Sequence, residues 1–262
     1  GADVDGRAPS GATALHLAAT RGAALAIEAL LNRDANPNLL SAEGMNALHF
    51  AAQEGQESCI FLLVQGGTRY VVDVLGRSPV DCAMEAGHSR VAKELRRLSL
   101  NNACRDGDVG ALLQLVSHRG DNDRQVGVSP GYLAEPDPKT ELPPMFLAAA
   151  SGNVEVVKLL LSVHVDPGAV GRTGLGGVHG AVMAGSAEVM DILLRSKATP
   201  NPYPVLFPTP LSYAITGQKF HLIDDLLAAK ADPCVGVQPA VVTAAKRGLT
   251  GVIRRLVGYK AD

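Results

Sequence analysis

The sequence predicts an all-α solenoid, in which short helical hairpins stack in a row with no sheet running through the middle. Three observations carry this. Residues able to end a helix recur at a fixed interval: Gly22, Gly55 and Gly87 lie 33 and 32 residues apart, and Gly152, Gly185, Gln218 and Gly248 follow one another at 33, 33 and 30. Ahead of them stand short runs such as Thr13-Ala14-Leu15-His16-Leu17-Ala18-Ala19, whose Leu15, Ala18 and Ala19 recur at i, i+3 and i+4 on one helix face. Finally, the 262 residues are 47% hydrophobic yet contain no tryptophan and only 4% aromatics. That suits a thin core of Ala, Leu and Val.

The first unit pairs Thr13–Arg21 with a second helix carrying Leu25, Ile27, Leu30 and Leu31. The Thr13 hydroxyl can accept a backbone N–H that the first helical turn leaves unpaired. Gly22 ends the helix because glycine enters the left-handed cap conformation without steric cost. Helices this short are marginal alone, so each needs copies beside it. The second unit runs from Asn46 to Gly55 and on through Cys59, Ile60, Leu62 and Leu63. The third runs from Ser78 to Gly87 and on through Val91, Ala92 and Leu95.

The register then breaks, because the next equivalent glycine is Gly107, only 20 residues on. Two alternatives are open: one long helix over about 89–105, or a sharp joint at Leu98–Leu100. The polar pair Asn101-Asn102 resembles the start of a capping unit, and the joint is preferred. Val109, Leu112, Leu113, Leu115 and Val116 form the next second helix. Residues 118–142, rich in Gly, Pro and Asp, read as a loop insertion of about twelve extra residues relative to the period. The array resumes at Pro143–Gly152, Gly176–Gly185, Thr209–Gln218 and Pro239–Gly248, each followed by an apolar helix. The tail Asp34-Ala35-Asn36-Pro37-Asn38 recurs near both ends of the chain, at Gly1–Asp5 and Lys260–Asp262, so the chain is expected to be a segment of a longer array or a longer protein.

The run Thr13-Ala14-Leu15-His16-Leu17-Ala18 resembles the T-P-L-H-x-A signature of the ankyrin-repeat family, with Ala14 in place of proline. Thr209-Pro210-Leu211-Ser212-Tyr213-Ala214 is similar, with Ser212 in place of histidine. The resemblance covers nearly the whole chain and implies an ankyrin solenoid of about eight repeats. Residues 1–98 form one sub-array of three repeats plus the tail of a preceding one. Residues 99–262 form a second of about five, the first cap-like and carrying the 118–142 insertion. The resemblance also implies a non-catalytic scaffold or adaptor that binds a protein on its concave face and loop tips. The alternative is a regulatory or targeting segment of a larger enzyme, such as a kinase or ubiquitin ligase, or of an ion channel, with the activity outside these residues.

The charge balance gives no field for nucleic acid, with a net charge of −2. No apolar run approaches a membrane span. Cys59, Cys82, Cys104 and Cys234 form no C-x-x-C pair and read as reduced thiols of an intracellular, cytoplasmic protein. No enzymatic constellation, cofactor or metal site is expected, and the segment is expected to be monomeric. His16, His49 and His179 stand at the signature histidine, which in the family bonds the backbone of the neighbouring loop. The glycines Gly171, Gly174, Gly176, Gly177 and Gly180 fail as a nucleotide fingerprint, because His179 and Gly177 stand where glycine and lysine are required. They are expected at a hairpin tip. Asp121-Asn122-Asp123 begins like a calcium loop, but Val126 and Tyr132 occupy the glycine and glutamate positions. Arg119-Gly120-Asp121 is read as a chance turn.

The expected partner-binding residues are apolar groups on stiff tips, Val74, Leu75, Tyr203, Val205, Leu206 and Phe207, with Arg21, Glu54, Lys246 and Arg247 on the first helices. The alternative for Tyr203–Phe207 is packing onto their own array. Leu160 and Leu193 are expected in the core, where truncation to alanine costs roughly 2–5 kcal/mol.

Overall fold

The computed structural model describes residues 3–117, 133–202 and 207–259. Among them are fifteen α-helices, with strand pairing limited to two isolated bridges, Arg7 with Thr13 and Val170 with Gly176. The chain groups into two compact units. Among the described residues one holds 3–102 and 114–117, the other 103–113, 133–202 and 207–259.

In the first unit, α1 (Ala14–Thr20), α3 (Ala47–Gln53) and α5 (Pro79–Glu85) are the inner helices, and each packs on the next. The outer helices α2 (Ala24–Leu31) and α4 (Glu57–Gln65) return alongside them. Small residues make the close stack possible: Ala19, Ala47, Ala51, Ala52 and Ala83 are fully buried or nearly so. The Thr13 hydroxyl does not cap a helix N–H. It lies 2.9 Å from His16 Nδ1, which also accepts the Thr13 N–H at 3.0 Å.

The preferred joint at 98–100 is absent, and a single helix, α6, runs from Ser89 to Asp106. Its apolar face continues across the expected break, with Leu95, Leu98, Leu100, Ala103 and Cys104 all buried. Asn102 does not open a new unit; its Nδ2 donates to the Val64 carbonyl at 2.9 Å. With no glycine or proline between Ser89 and Asp106, nothing stops the helix.

After α7 (Val109–Ser117) the second unit carries α8 (Pro144–Ser151), α9 (Val154–Ser162), α10 (Gly177–Ala184) and α11 (Ala187–Arg195). It continues with α12 (Pro210–Thr216), α13 (Ile223–Ala228), α14 (Ala240–Lys246) and α15 (Thr250–Gly258). The inner helices α8, α10, α12 and α14 pack in sequence. Leu160 and Leu193 are both 0% exposed, as expected of core leucines. Gly177 and Gly180 are not tip residues. Both lie within α10, where a Cβ on Gly180 would stand 2.5 Å from the Phe146 carbonyl oxygen. The glycines bring α10 against α8; only Gly171 and Gly174 belong to the tip.

The expected insertion also contains a regular element. Asp137 N–H donates to the Leu142 carbonyl at 2.9 Å, a closure one residue longer than the one Asp73 makes with Arg77. The Asp137 carboxylate accepts the Lys139 and Thr140 amides and a bond from the Arg105 guanidinium. Residues 137–142 are therefore a hairpin tip, and the inserted length precedes Asp137. The calcium-like stretch and Arg119-Gly120-Asp121 lie outside the described residues.

Candidate functional site at the hairpin tips and inner-helix faces

The tips of the first unit are built alike. Ser41 N–H donates to the Met45 carbonyl at 2.9 Å, and Asp73 N–H to the Arg77 carbonyl at 2.9 Å. Glycine supplies the left-handed residue of each, Gly44 at φ 74° and Gly76 at φ 77°. Successive tips are then tied together. Ala42 N–H donates to the Ser10 carbonyl at 3.1 Å and Val74 N–H to the Glu43 carbonyl at 3.1 Å, while Arg7 Nη1 reaches the Leu40 carbonyl at 2.7 Å.

Histidines lock three of the inner helices to the following tip. His16 Nε2 donates to the Met45 carbonyl at 3.1 Å, His49 to the Arg77 carbonyl at 3.2 Å, and His179 to the Pro208 carbonyl at 3.1 Å. The opposite nitrogen of each ring accepts a backbone N–H, from Thr13, Asn46 or Gly176. In His16 and His179 one neutral tautomer satisfies both bonds, while His49 Nδ1 also lies 2.8 Å from Asn46 Oδ1. Burial lowers all three pKa values, those of His49 and His179 to about 4. Ser212 does the same work in the third inner helix of the second unit, its hydroxyl donating to the Gln238 carbonyl at 2.6 Å. These are structural groups. Among the described residues no group of three His, Cys, Asp or Glu side chains could hold a metal ion.

On this frame Val74 and Leu75 are 69% and 72% exposed. Their backbone is held from beneath by Asp73, whose Oδ1 accepts the Leu75 and Arg77 amides at 2.9 and 2.8 Å. Burial pushes the Asp73 carboxyl up. The Arg77 and Leu75 amides and the Arg77 guanidinium outweigh it and hold the group below the usual carboxylate range. Arg21 and Glu54 follow α1 and α3 directly and are exposed.

The family model for three copies of the ankyrin repeat matches residues 15–102, and the single-repeat model matches residues 142–172. Both stretches are ankyrin repeats. It is 30% identical to human "Rabankyrin-5" over 180 residues, 62% of this chain and 14% of that protein. It is 46% identical to rat "Cyclin-dependent kinase 4 inhibitor B" over 54 residues, 21% of this chain and 41% of that protein. The chain thus spans less than half the length of either relative.

The second ankyrin unit places the remaining expected residues differently. Phe207 is 40% exposed, while Tyr203, Val205 and Leu206 lie outside the described residues. Lys246 is exposed. Arg247, although exposed, turns back on its own array: its Nη1 donates to the Thr216 carbonyl at 2.8 Å and approaches the Ile215 carbonyl at 3.4 Å, capping the C-terminal end of α12. A cation there meets the negative end of the helix dipole. None of the described helices is long and apolar enough to cross a membrane.

Sequence reading missed one feature of the first ankyrin unit. Gln53, Arg77, Cys82, Glu85 and Ala86 bound a cleft of about 200 Å3 beside α3 and α5. The signal was available, since Gln53, Glu85 and Ala86 are all first-helix face positions. Arg77 stands outside that pattern, at the end of a tip.

Proposed function

We propose that the chain is a non-catalytic protein-binding scaffold or adaptor, and that a partner is held on the hairpin tips and the exposed faces of the inner helices. Ankyrin repeats are in general protein–protein interaction modules. The observation that carries the reading is the exposure of Val74 and Leu75 on a tip whose backbone is fixed by Asp73 and by the neighbouring tip. Apolar side chains on a rigid loop bury area without a large ordering cost, which is how interface hot spots arise.

The second reading is a regulatory segment of a larger protein. It is favoured by the short share of Rabankyrin-5 that the chain covers, and by the rat relative, which is by its name a kinase inhibitor. In both readings the chain contributes a binding surface and no chemistry of its own.

Affinity capture with the wild-type chain, compared with Leu75→Asp and Phe207→Asp, tests the proposal. Weakened binding with an unchanged thermal melt is the expected result. Undiminished binding of both variants would remove the tips from the interface. A lowered melt would place those side chains in the packing instead.

A further inference from the structure

We infer that the cleft bounded by Gln53, Arg77, Cys82, Glu85 and Ala86 receives a cationic side chain, lysine or arginine, from the protein that binds the first unit. The inference rests on the protein-binding reading above and gives it a chemistry. At about 200 Å3 the cleft lies below the ~300–1,000 Å3 of small-molecule sites. It is sized for one side chain.

Its walls are already committed. Cys82 is buried, and burial pushes its thiol up to about 11, so it presents a neutral sulfur. Arg77 is neutralised from behind, with its Nη2 2.7 Å and its Nε 2.9 Å from Asp73 Oδ2. The Asp73 side chain is only 1% exposed and spends its other oxygen on the Leu75 and Arg77 amides. On the open side Arg77 Nη1 donates to Glu85 Oε2 at 3.2 Å. The Glu85 side chain is 58% exposed, and its Oε1 faces no partner among the described residues. The exposed Gln53 amide likewise makes no bond among them.

The charge total decides the occupant. One guanidinium faces the carboxylates of Asp73 and Glu85, with Asp81 close behind on Ser78, its Oδ2 accepting the Ser78 hydroxyl at 2.5 Å. The Cys82 sulfur feels the same field: after burial, Arg77 draws its pKa down while Asp73, Glu85 and Asp81 raise it. An anion would have to displace Glu85 from Arg77 against that field. A cation needs no displacement, because Glu85 Oε1 and the Gln53 carbonyl oxygen can accept its N–H groups, and the Cys82 and Ala86 walls suit the aliphatic stem.

Amide-resolved NMR of the whole chain tests this, with N-acetyl-arginine amide and N-acetyl-lysine amide as probes. The neutral N-acetyl-glutamine amide and the anionic N-acetyl-glutamate amide serve as controls. At least one cation should give saturable millimolar shifts at Gln53, Arg77, Glu85 and Ala86. In Glu85→Gln the apparent affinity should fall about two- to fivefold, the size expected for one partly exposed charge pair, while the Leu48 and His49 signals stay in place. No saturable shift with either cation, an equal shift with the neutral probe, or a shift with the anion alone would overturn the assignment. A captured partner that holds Glu85→Gln as tightly as wild type would also remove the cleft while leaving the protein-binding reading standing. Probe binding without any captured partner would support the cleft and count against that reading.

Discussion

A Cβ on Gly180 would sit 2.5 Å from the carbonyl oxygen of Phe146 and 2.9 Å from the amide nitrogen of Ala150, both rigid backbone of the neighbouring helix. Alanine at this position should therefore force α8 and α10 apart. The helix-propensity gain of about 1 kcal/mol is outweighed by overpacking, and Gly180→Ala should lose roughly 1–3 kcal/mol net. Gly177 is the internal control. Its added Cβ meets side chains and no backbone, the buried Met145 Cγ at 2.9 Å and the Leu193 Cδ1 at 3.2 Å, which yield more readily than a helix backbone. Urea unfolding of the two variants should separate them, with Gly177→Ala losing less than Gly180→Ala.

The three histidines predict a pH dependence of stability. Their folded pKa values lie below the unfolded value near 6.5, those of His49 and His179 at about 4. The unfolded chain thus binds protons that the folded chain refuses. Stability is full above pH 6.5 and falls as the pH drops through the window from 6.5 to 4, then levels for these groups. His49 and His179 should each contribute on the order of 3 kcal/mol across that window. Asp73 and Asp137, with lowered carboxyl pKa values, add a further loss at more acidic pH. His49→Gln should cost stability at pH 7.5 and flatten the 6.5-to-4 slope, as read from denaturant midpoints at several pH values.

Gln218 has φ 58°, in the left-handed region that Gly22, Gly55, Gly87, Gly152, Gly185 and Gly248 occupy at the matching turn of other repeats. A non-glycine residue there costs about 1–2 kcal/mol, and glycine's extra unfolded-state freedom returns roughly half of that. Gln218→Gly should raise stability by about 0.5–1 kcal/mol. A melting temperature at or below wild type would show that the Gln218 side chain makes a compensating contact.

This position also shows what the sequence made legible. The 33-residue period placed Gln218 in register without a glycine, and the same period located the helix pairs; the His-to-tip bonds were implied by the family resemblance. Where a local signal departed from its usual chemistry, the reading slipped. Gly177 and Gly180 were assigned to a tip because glycine marks turns more often than close helix contacts, and no single-sequence pattern reports the helix opposite. The tip at 137–142 stayed hidden because Glu141, at φ 56°, fills the position that Gly44, Gly76 and Gly174 fill elsewhere. Asn101-Asn102 suggested a helix start because asparagine favours caps, yet Asn102 bonds the backbone of α4 from within α6. The acceptor at Val64 is 38 residues away in sequence, beyond any local pattern.

Asp137 tests the hidden tip directly. Its side chain is 4% exposed and gathers three donors: the Lys139 amide at 2.9 Å, the Thr140 amide at 3.0 Å and the Arg105 guanidinium. Burial raises its carboxyl pKa, but the Thr140 and Lys139 amides and Arg105 together hold it below the usual range. Asp137→Ala strands two amides and removes a charge-assisted bond, so a loss of about 2–4 kcal/mol is expected. Asp137→Asn keeps a carbonyl oxygen for the amides and should lose less. Arg105→Ala should cost least, because its side chain is 39% exposed and water can replace it at the rim of the carboxylate. Hydrogen exchange gives the decisive readout: in Asp137→Ala the Lys139 and Thr140 amides should lose protection ahead of α8. If they exchange at wild-type rates in that variant, the carboxylate does not hold the turn, and residues 137–142 close through their backbone bonds alone.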